Sequence, residues 1–151
     1  MTLIIEDGTV VANANSYTTD AELIAYAAER GLTIPATEAE RDILQILASD
    51  WLNDKAYQGD YVDADNQFLP FPRSNVYAYG RTIDSATIPK ELKRAAMEAA
   101  IAANTNELIK NETNQNVTKE KVDVLEVEYG SGGVWSTVRV GRAMNYLKPF
   151  L

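Results

Sequence analysis

The chain contains neither histidine nor cysteine. Without cysteine there can be no disulfide, thiolate metal site or thiol nucleophile; without histidine the usual general base at neutral pH is missing. Cations are scarce as well: 14 Lys and Arg stand against 22 Asp and Glu, a net charge of −8. A protein that grips nucleic acid through its phosphates needs a basic face. The densest basic cluster, Lys119 and Lys121, alternates with Glu120 and Asp123. No apolar run approaches the ~18–20 residues that a bilayer span requires. The N-terminus, Met1-Thr-Leu-Ile-Ile-Glu-Asp7, lacks the basic start and long apolar stretch of a signal peptide. A soluble protein made in the cytoplasm, with no membrane partner, is expected.

What remains is enough to build a core, since 46% of the 151 residues are hydrophobic. One domain is expected. Residues 1–110 read as a helical core domain with an N-terminal arm and a long central loop. Residues 111–151 read as a linker, hairpin and docking tail of the same unit.

Leu3–Glu6 is a short apolar run stopped by Asp7-Gly8, a strand or extended arm. Thr19 and Glu22 have capping-box spacing and Gly31 the place of a C-terminal cap, bounding a first helix. Thr37 and Glu40 repeat that spacing. After them Ile43, Leu44, Ile46, Leu47 and Trp51 read as the buried face of a second helix ending near Lys55, with Glu38, Arg41, Asp42, Gln45 and Asp50 on its polar side. Tyr57–Thr87 has no sustained period and reads as a long loop. Pro89 opens a third helix that runs to about Ile109. Its stripe of Leu92, Ala95, Ala96, Ala99, Ala100 and Ala103 is smooth enough for close helix approach at the centre of a bundle. Asn111–Asn116 is a polar linker. Val122–Tyr129 and Val134–Val140 flank Gly130–Gly133 as a hairpin, and Arg142–Leu147 forms a short last helix before Pro149. The fold class expected is mainly α: a small helical bundle of three or four helices with an N-terminal extended arm, a C-terminal β-hairpin-like extension and a tail.

Chemistry has little to work with. An EF-hand counted from Asp60 would put Gly sixth and Glu twelfth, where Asp65 and Phe71 stand, so a solvated acidic loop is the better reading. Gly130, Gly132 and Gly133 precede a strand pattern rather than a helix, which suits a hairpin turn and not a phosphate cradle. No base accompanies any hydroxyl nucleophile in a recognisable motif. No enzyme, metal or cofactor is expected. The sharpest local motif is Leu69-Pro-Phe-Pro-Arg73, in which two prolines hold Phe71 in an extended segment. That segment reads either as a loop packed over its own core or as an anchor at a subunit contact. The terminal Tyr146-Leu-Lys-Pro-Phe-Leu151 is apolar where chain ends are usually polar, and docks in its own fold or on a neighbour. Candidate partner-binding residues are Phe71, Arg73, Trp135, Tyr146, Leu147, Phe150 and Leu151.

Four blocks in a fixed order carry a resemblance: Ile4-Ile-Glu-Asp-Gly-Thr9 with Ala12-Asn-Ala-Asn-Ser-Tyr17; Leu69-Pro-Phe-Pro-Arg73; Ile88-Pro-Lys-Glu-Leu-Lys93; and Lys121–Tyr129 followed by Leu147-Lys-Pro-Phe-Leu151. Together they span nearly the whole chain. They resemble small tailed-phage proteins often labelled DnaT-like single-stranded-DNA-binding, and the same layout is similar to phage head–tail connector (adaptor, neck) proteins. The resemblance implies a structural virion protein, made in the host cytoplasm and placed in the neck. Its partners would be the portal protein, neighbouring copies in a typically twelvefold ring, and the next tail or stopper protein. Genomic DNA would pass through the lumen without specific binding. The alternative is a single-stranded-DNA-binding protein acting in phage replication.

Overall fold

The computed structural model describes residues 2–106, 108–110, 119–122, 125–128, 136–137 and 140–151. Its helices are α1 (Asp20–Arg30), α2 (Glu38–Asn53), α3 (Lys90–Ala103) and α4 (Gly141–Leu147), with a closing 3-10 turn at Lys148–Phe150. Eight short strands pair antiparallel in twos: β1 (Asp60–Tyr61) with β2 (Arg73–Ser74), β3 (Tyr77–Ala78) with β4 (Arg81–Thr82), β5 (Ile109–Lys110) with β8 (Ser136–Thr137), and β6 (Lys119–Val122) with β7 (Leu125–Glu128). None of the described helices is long and apolar enough to cross a membrane.

The expected helical bundle with protruding arms is not what the chain forms. α3 packs against α2 on one side and α4 on the other, with α1 touching both α2 and α3. The rest of the core comes from irregular chain: Tyr17, Leu69, Phe71, Val76, Ala78 and Phe150 are all buried beside the helices. The four helices and the central segment that carries β1–β4 therefore share one mixed core. The physical reason lies in the central segment, whose aromatics and prolines fill space that a further helix would occupy in a bundle.

The N-terminal segment is also no arm. Glu6 N–H donates to the Ser16 carbonyl at 2.9 Å, Asn15 N–H to that of Ile4 at 2.9 Å, and Ile5 bridges Ser16. The fully buried Glu6 carboxylate accepts from the N–H groups of Gly8, Val10 and Val11 at 2.9, 3.1 and 2.9 Å. These bonds hold Val10 at φ 60°, a conformation costing a β-branched residue about 1–3 kcal/mol. Gly8, at φ 108°, passes so close to Ala86 that a Cβ would lie 2.3 Å from its carbonyl oxygen.

α1 is bounded as its sequence predicts, by the reciprocal Thr19–Glu22 capping box and Gly31 at φ 61°. At α2 the Thr37 hydroxyl accepts from Glu40 N–H, but the Glu40 carboxylate accepts from that hydroxyl rather than from the backbone. The buried face of α2 is rotated from the expected one: Leu44 and Trp51 are buried and Glu38 and Asp50 exposed as expected, but other positions are exchanged. Arg41, Asp42, Gln45 and Ser49 are buried, while Ile43 and Leu47 are 45% and 44% exposed. Specific partners meet part of this burial: Thr18 donates to Gln45 Oε1 at 2.9 Å, and Arg41 pairs with Asp20 and two carbonyls, while among the described residues Gln45 Nε2 has no hydrogen-bond partner. α3 ends at Ala103, six residues before the expected limit, and Pro89 occupies its N-cap rather than its first turn. In the C-terminal region β6 pairs with β7, with Val122 opposite Leu125, and β8 pairs with β5. Among the described residues the expected pairing across Gly130–Gly133 is not formed. That glycine turn and the Asn111–Asn116 linker lie outside the described residues.

Candidate partner-binding surface

Leu69-Pro-Phe-Pro-Arg73 and the C-terminal plug meet inside the protein's own core. The Phe71 and Phe150 rings are edge-on at 5.9 Å, and Tyr57 and Tyr79 extend the cluster at 5.3 Å from Phe71 and 6.1 Å from Phe150. Tyr17 Oη accepts the Phe71 N–H at 2.9 Å. Burial pushes the Tyr17 hydroxyl well above the usual tyrosine range. Gln58 clamps the tail: its N–H donates to the Phe150 carbonyl at 3.0 Å and its Nε2 to the Pro149 carbonyl at 2.8 Å. The Phe71–Pro72 peptide is cis.

Arg73 is buried and turned inward, donating to the carbonyls of Gln58 and Gly59 at 2.8 and 2.7 Å while its guanidinium lies 4.6 Å from the centre of the Tyr61 ring. Of the seven residues singled out from sequence, Phe71, Arg73, Leu147 and Phe150 are thus buried in their own fold, Tyr146 is half-buried and Leu151 is 41% exposed. Trp135 lies outside the described residues.

Other side chains carry the exposed apolar surface. On the central segment they are Tyr61, Val62, Phe68, Tyr77 and Tyr79; on the helices they are Ile24 of α1 and Ile43 and Leu47 of α2. Ile43 and Leu47 are one helical turn apart and share a side of α2. Sequence reading placed these two in the core because their spacing is that of a buried stripe. The competing signal was Arg41, whose fork was already matched by an acid, Asp20, at the start of α1.

Between α1, α3 and α4 the fold opens a groove of about 570 Å³ lined by Arg30, Leu32, Glu98, Arg142, Asn145 and Tyr146. Glu98 is buried at its base and accepts the Tyr26 hydroxyl proton at 2.7 Å. Burial, then the hydrogen bonds with Glu98 and Tyr146, raise the Tyr26 hydroxyl above its ordinary range. Arg142 Nη1 lies 3.7 Å from the same carboxylate, Arg30 stacks 3.5 Å from the Tyr26 ring centre, and Arg94 stands 6.0 Å from that of Tyr146. Two guanidiniums from two helices, Arg30 of α1 and Arg142 of α4, line the groove. Arg30 and Arg142 are 112 positions apart, so no local pattern announces them.

A second and larger cavity, about 820 Å³, lies at the start of α3 between Tyr79, Arg81, Asp84, Lys90 and Glu91. Its charges are mixed. Several described cations are held by intramolecular partners: Arg30 by Glu29, Arg41 by Asp20, Lys55 by Asp54, Lys93 by Glu22. No cluster of acidic residues suited to a metal occurs among the described residues. In the Asp60–Asp65 turn the Asp63 carboxylate instead accepts from Asp65 N–H, Asn66 N–H and Asn66 Nδ2.

The family described as "Putative DnaT-like ssDNA binding protein" matches residues 1–151, the whole chain. The chain belongs to this family. Membership takes in the N-terminal loop, the Phe71 segment and the tail together, the same blocks that the fold brings into one core. No curated protein and no solved structure matches the chain. The family description names single-stranded DNA and does not name a capsid, portal or tail.

Proposed function

We propose that this protein is an assembly subunit: a head–tail adaptor of the tailed-phage kind that its layout resembles, joining copies of itself and a portal in the virion neck. One observation carries the reading. Large apolar side chains stand in solvent on different elements, Ile43 and Leu47 on α2 and Tyr61, Val62 and Phe68 on the central segment. A head-to-tail ring needs two unlike patches on each subunit. The charge supports it, since a net −8 lets DNA pass a lumen without displacing its counterions.

The experiment is light scattering of the purified chain alone and mixed with its portal. The expected result is a multi-subunit complex with the portal. A chain that stays monomeric in both, and shifts a labelled oligonucleotide, would remove the reading.

A second reading, single-stranded-DNA binding, is the one the family description favours. Four exposed aromatics, Tyr61, Phe68, Tyr77 and Tyr79, support it, because unpaired bases stack on such rings largely regardless of sequence. Its test is a salt-dependent shift of a labelled oligonucleotide by micromolar protein that weakens in the Tyr77→Ala variant. No shift at low salt sinks it.

A further inference from the structure

We infer that the groove between α1, α3 and α4 is the receptor half of a contact between copies of this chain, and that the acidic turn after β1 of the next copy is its occupant. The inference deepens the assembly reading and rests on it. The groove sets Arg30 and Arg142 beside an apolar lining of Leu32 and Tyr146, with Arg94 6.0 Å from the Tyr146 ring centre, in a molecule whose surplus charge is negative. Glu98 offsets part of that charge from beneath, where it is only 6% exposed and already engaged by Tyr26. A few carboxylates would be held well there; a phosphate backbone would find too short a cationic track.

The occupant is equally well defined. Residues 61–68 stand out from the body, with Asp65, Tyr61, Val62 and Phe68 exposed. Internal bonds hold the turn's shape. Asp63 caps it, Asp60 accepts from Asn75 Nδ2 at 3.0 Å, and Gln67 Nε2 donates to the Leu69 and Pro72 carbonyls, each at 2.8 Å. The turn therefore presents acid beside apolar rings, the complement of arginine beside leucine and tyrosine. Pre-formed on both sides, such a contact orders little on binding. No hydrogen bond or ion pair among the described residues joins the turn to the groove within one chain; Arg30 bonds the Tyr26 carbonyl and Glu29, Arg142 lies by Glu98, and Asp65 is the exposed acid of the turn. Groove to turn is a head-to-tail relation, and its repetition closes a ring or propagates a filament.

The absence of cysteine provides a clean test. In the full-length Ala64→Cys/Asn145→Cys variant, mild oxidation should produce a ladder of dimers, trimers and larger species on denaturing gels, while either single variant stops at dimers. Arg142→Glu and Asp65→Arg should each weaken self-association in sedimentation by roughly tenfold or more, and the combined variant should recover most of it. A double-cysteine variant that ladders no further than the single ones, or a charge swap that restores nothing, overturns the contact. So does loss of oligonucleotide binding in Arg142→Glu with the mass unchanged, since the groove would then serve nucleic acid. Portal binding separates the two proposals. A ladder without portal binding removes the adaptor reading alone, and portal binding without a ladder removes this contact alone.

Discussion

Phe150, second from the C-terminus, meets the Phe71 ring edge-on at 5.9 Å, and both rings are excluded from solvent. The tail is thus a core element before it is anything else. Phe150→Ala should cost about 3–5 kcal/mol, the usual penalty for emptying a large aromatic site, and lower the Tm by roughly 10 °C or more. Thermal melts followed by circular dichroism read this directly. A change of only a degree or two would mean that the tail does not pack on Phe71 in solution.

Arg41 and Asp20 form a two-pronged pair at 2.6 and 2.7 Å, with side chains only 10% and 20% exposed. The hydrogen bond to Asp20 comes first among the causes that raise the Arg41 pKa. Asp20→Ala should leave the guanidinium half-satisfied and destabilise the fold. Arg41→Lys should recover little, because an ammonium cannot span both carboxylate oxygens and the Pro35 and Ala36 carbonyls. Urea titration of both variants is the check, and a Lys variant as stable as the parent contradicts the fork.

At high pH the buried hydroxyls control stability. Burial raises the pKa of Tyr17, Tyr26 and Tyr57 in the fold. Their neutral forms are favoured there, so this contribution is intact below the unfolded value near 10 and is lost as pH rises above it. Tyrosinate absorbance should therefore show a group of tyrosines ionising only together with unfolding. A single, fully reversible titration with no structural transition would be the contrary result. Tyr17→Phe should also cost about 1–3 kcal/mol at neutral pH by stranding the Phe71 N–H.

At low pH the sign reverses. Burial pushes the Glu22 carboxyl up, but the Thr19 N–H, Lys93 and the Thr19 hydroxyl outweigh it, so its pKa falls below the ordinary 4.5. Stability from this group is complete above that ordinary value and disappears as pH falls through the folded one. Glu22→Gln should therefore be less stable than the parent at pH 7 and level with it near pH 2–3. The side chain is 42% exposed, so the gap is a modest one of about 1 kcal/mol or less. Equal stability at both pH values would show that the capping box contributes nothing.

The ends of α1 were legible in the sequence because a capping box and a left-handed glycine act within one turn of chain. The buried face of α2 was legible only in part, at Leu44 and Trp51. Ile43 and Leu47 obey helical spacing as well as Leu44 and Trp51 do, and the choice between the two sides was made by Asp20, Thr18 and the Pro35 and Ala36 carbonyls, none of them on α2. Leu69–Arg73 stood out by its prolines, yet whether Phe71 faced inward or outward depended on Tyr17 and Phe150, far away along the chain. The groove was invisible for the same reason: its arginines, Arg30 and Arg142, come from helices at opposite ends of the chain.

From the sequence alone came the acidic balance, the lack of thiol and imidazole chemistry, and the helix starts, all properties carried by composition or by neighbours a few residues apart. Tertiary structure decided which apolar side chains remained in solvent, that the C-terminal plug closes its own core, and that scattered cations gather in an acidic molecule. Burial is a property of the whole surface: a side chain is hidden or left exposed by partners whose distance along the chain carries no pattern to read.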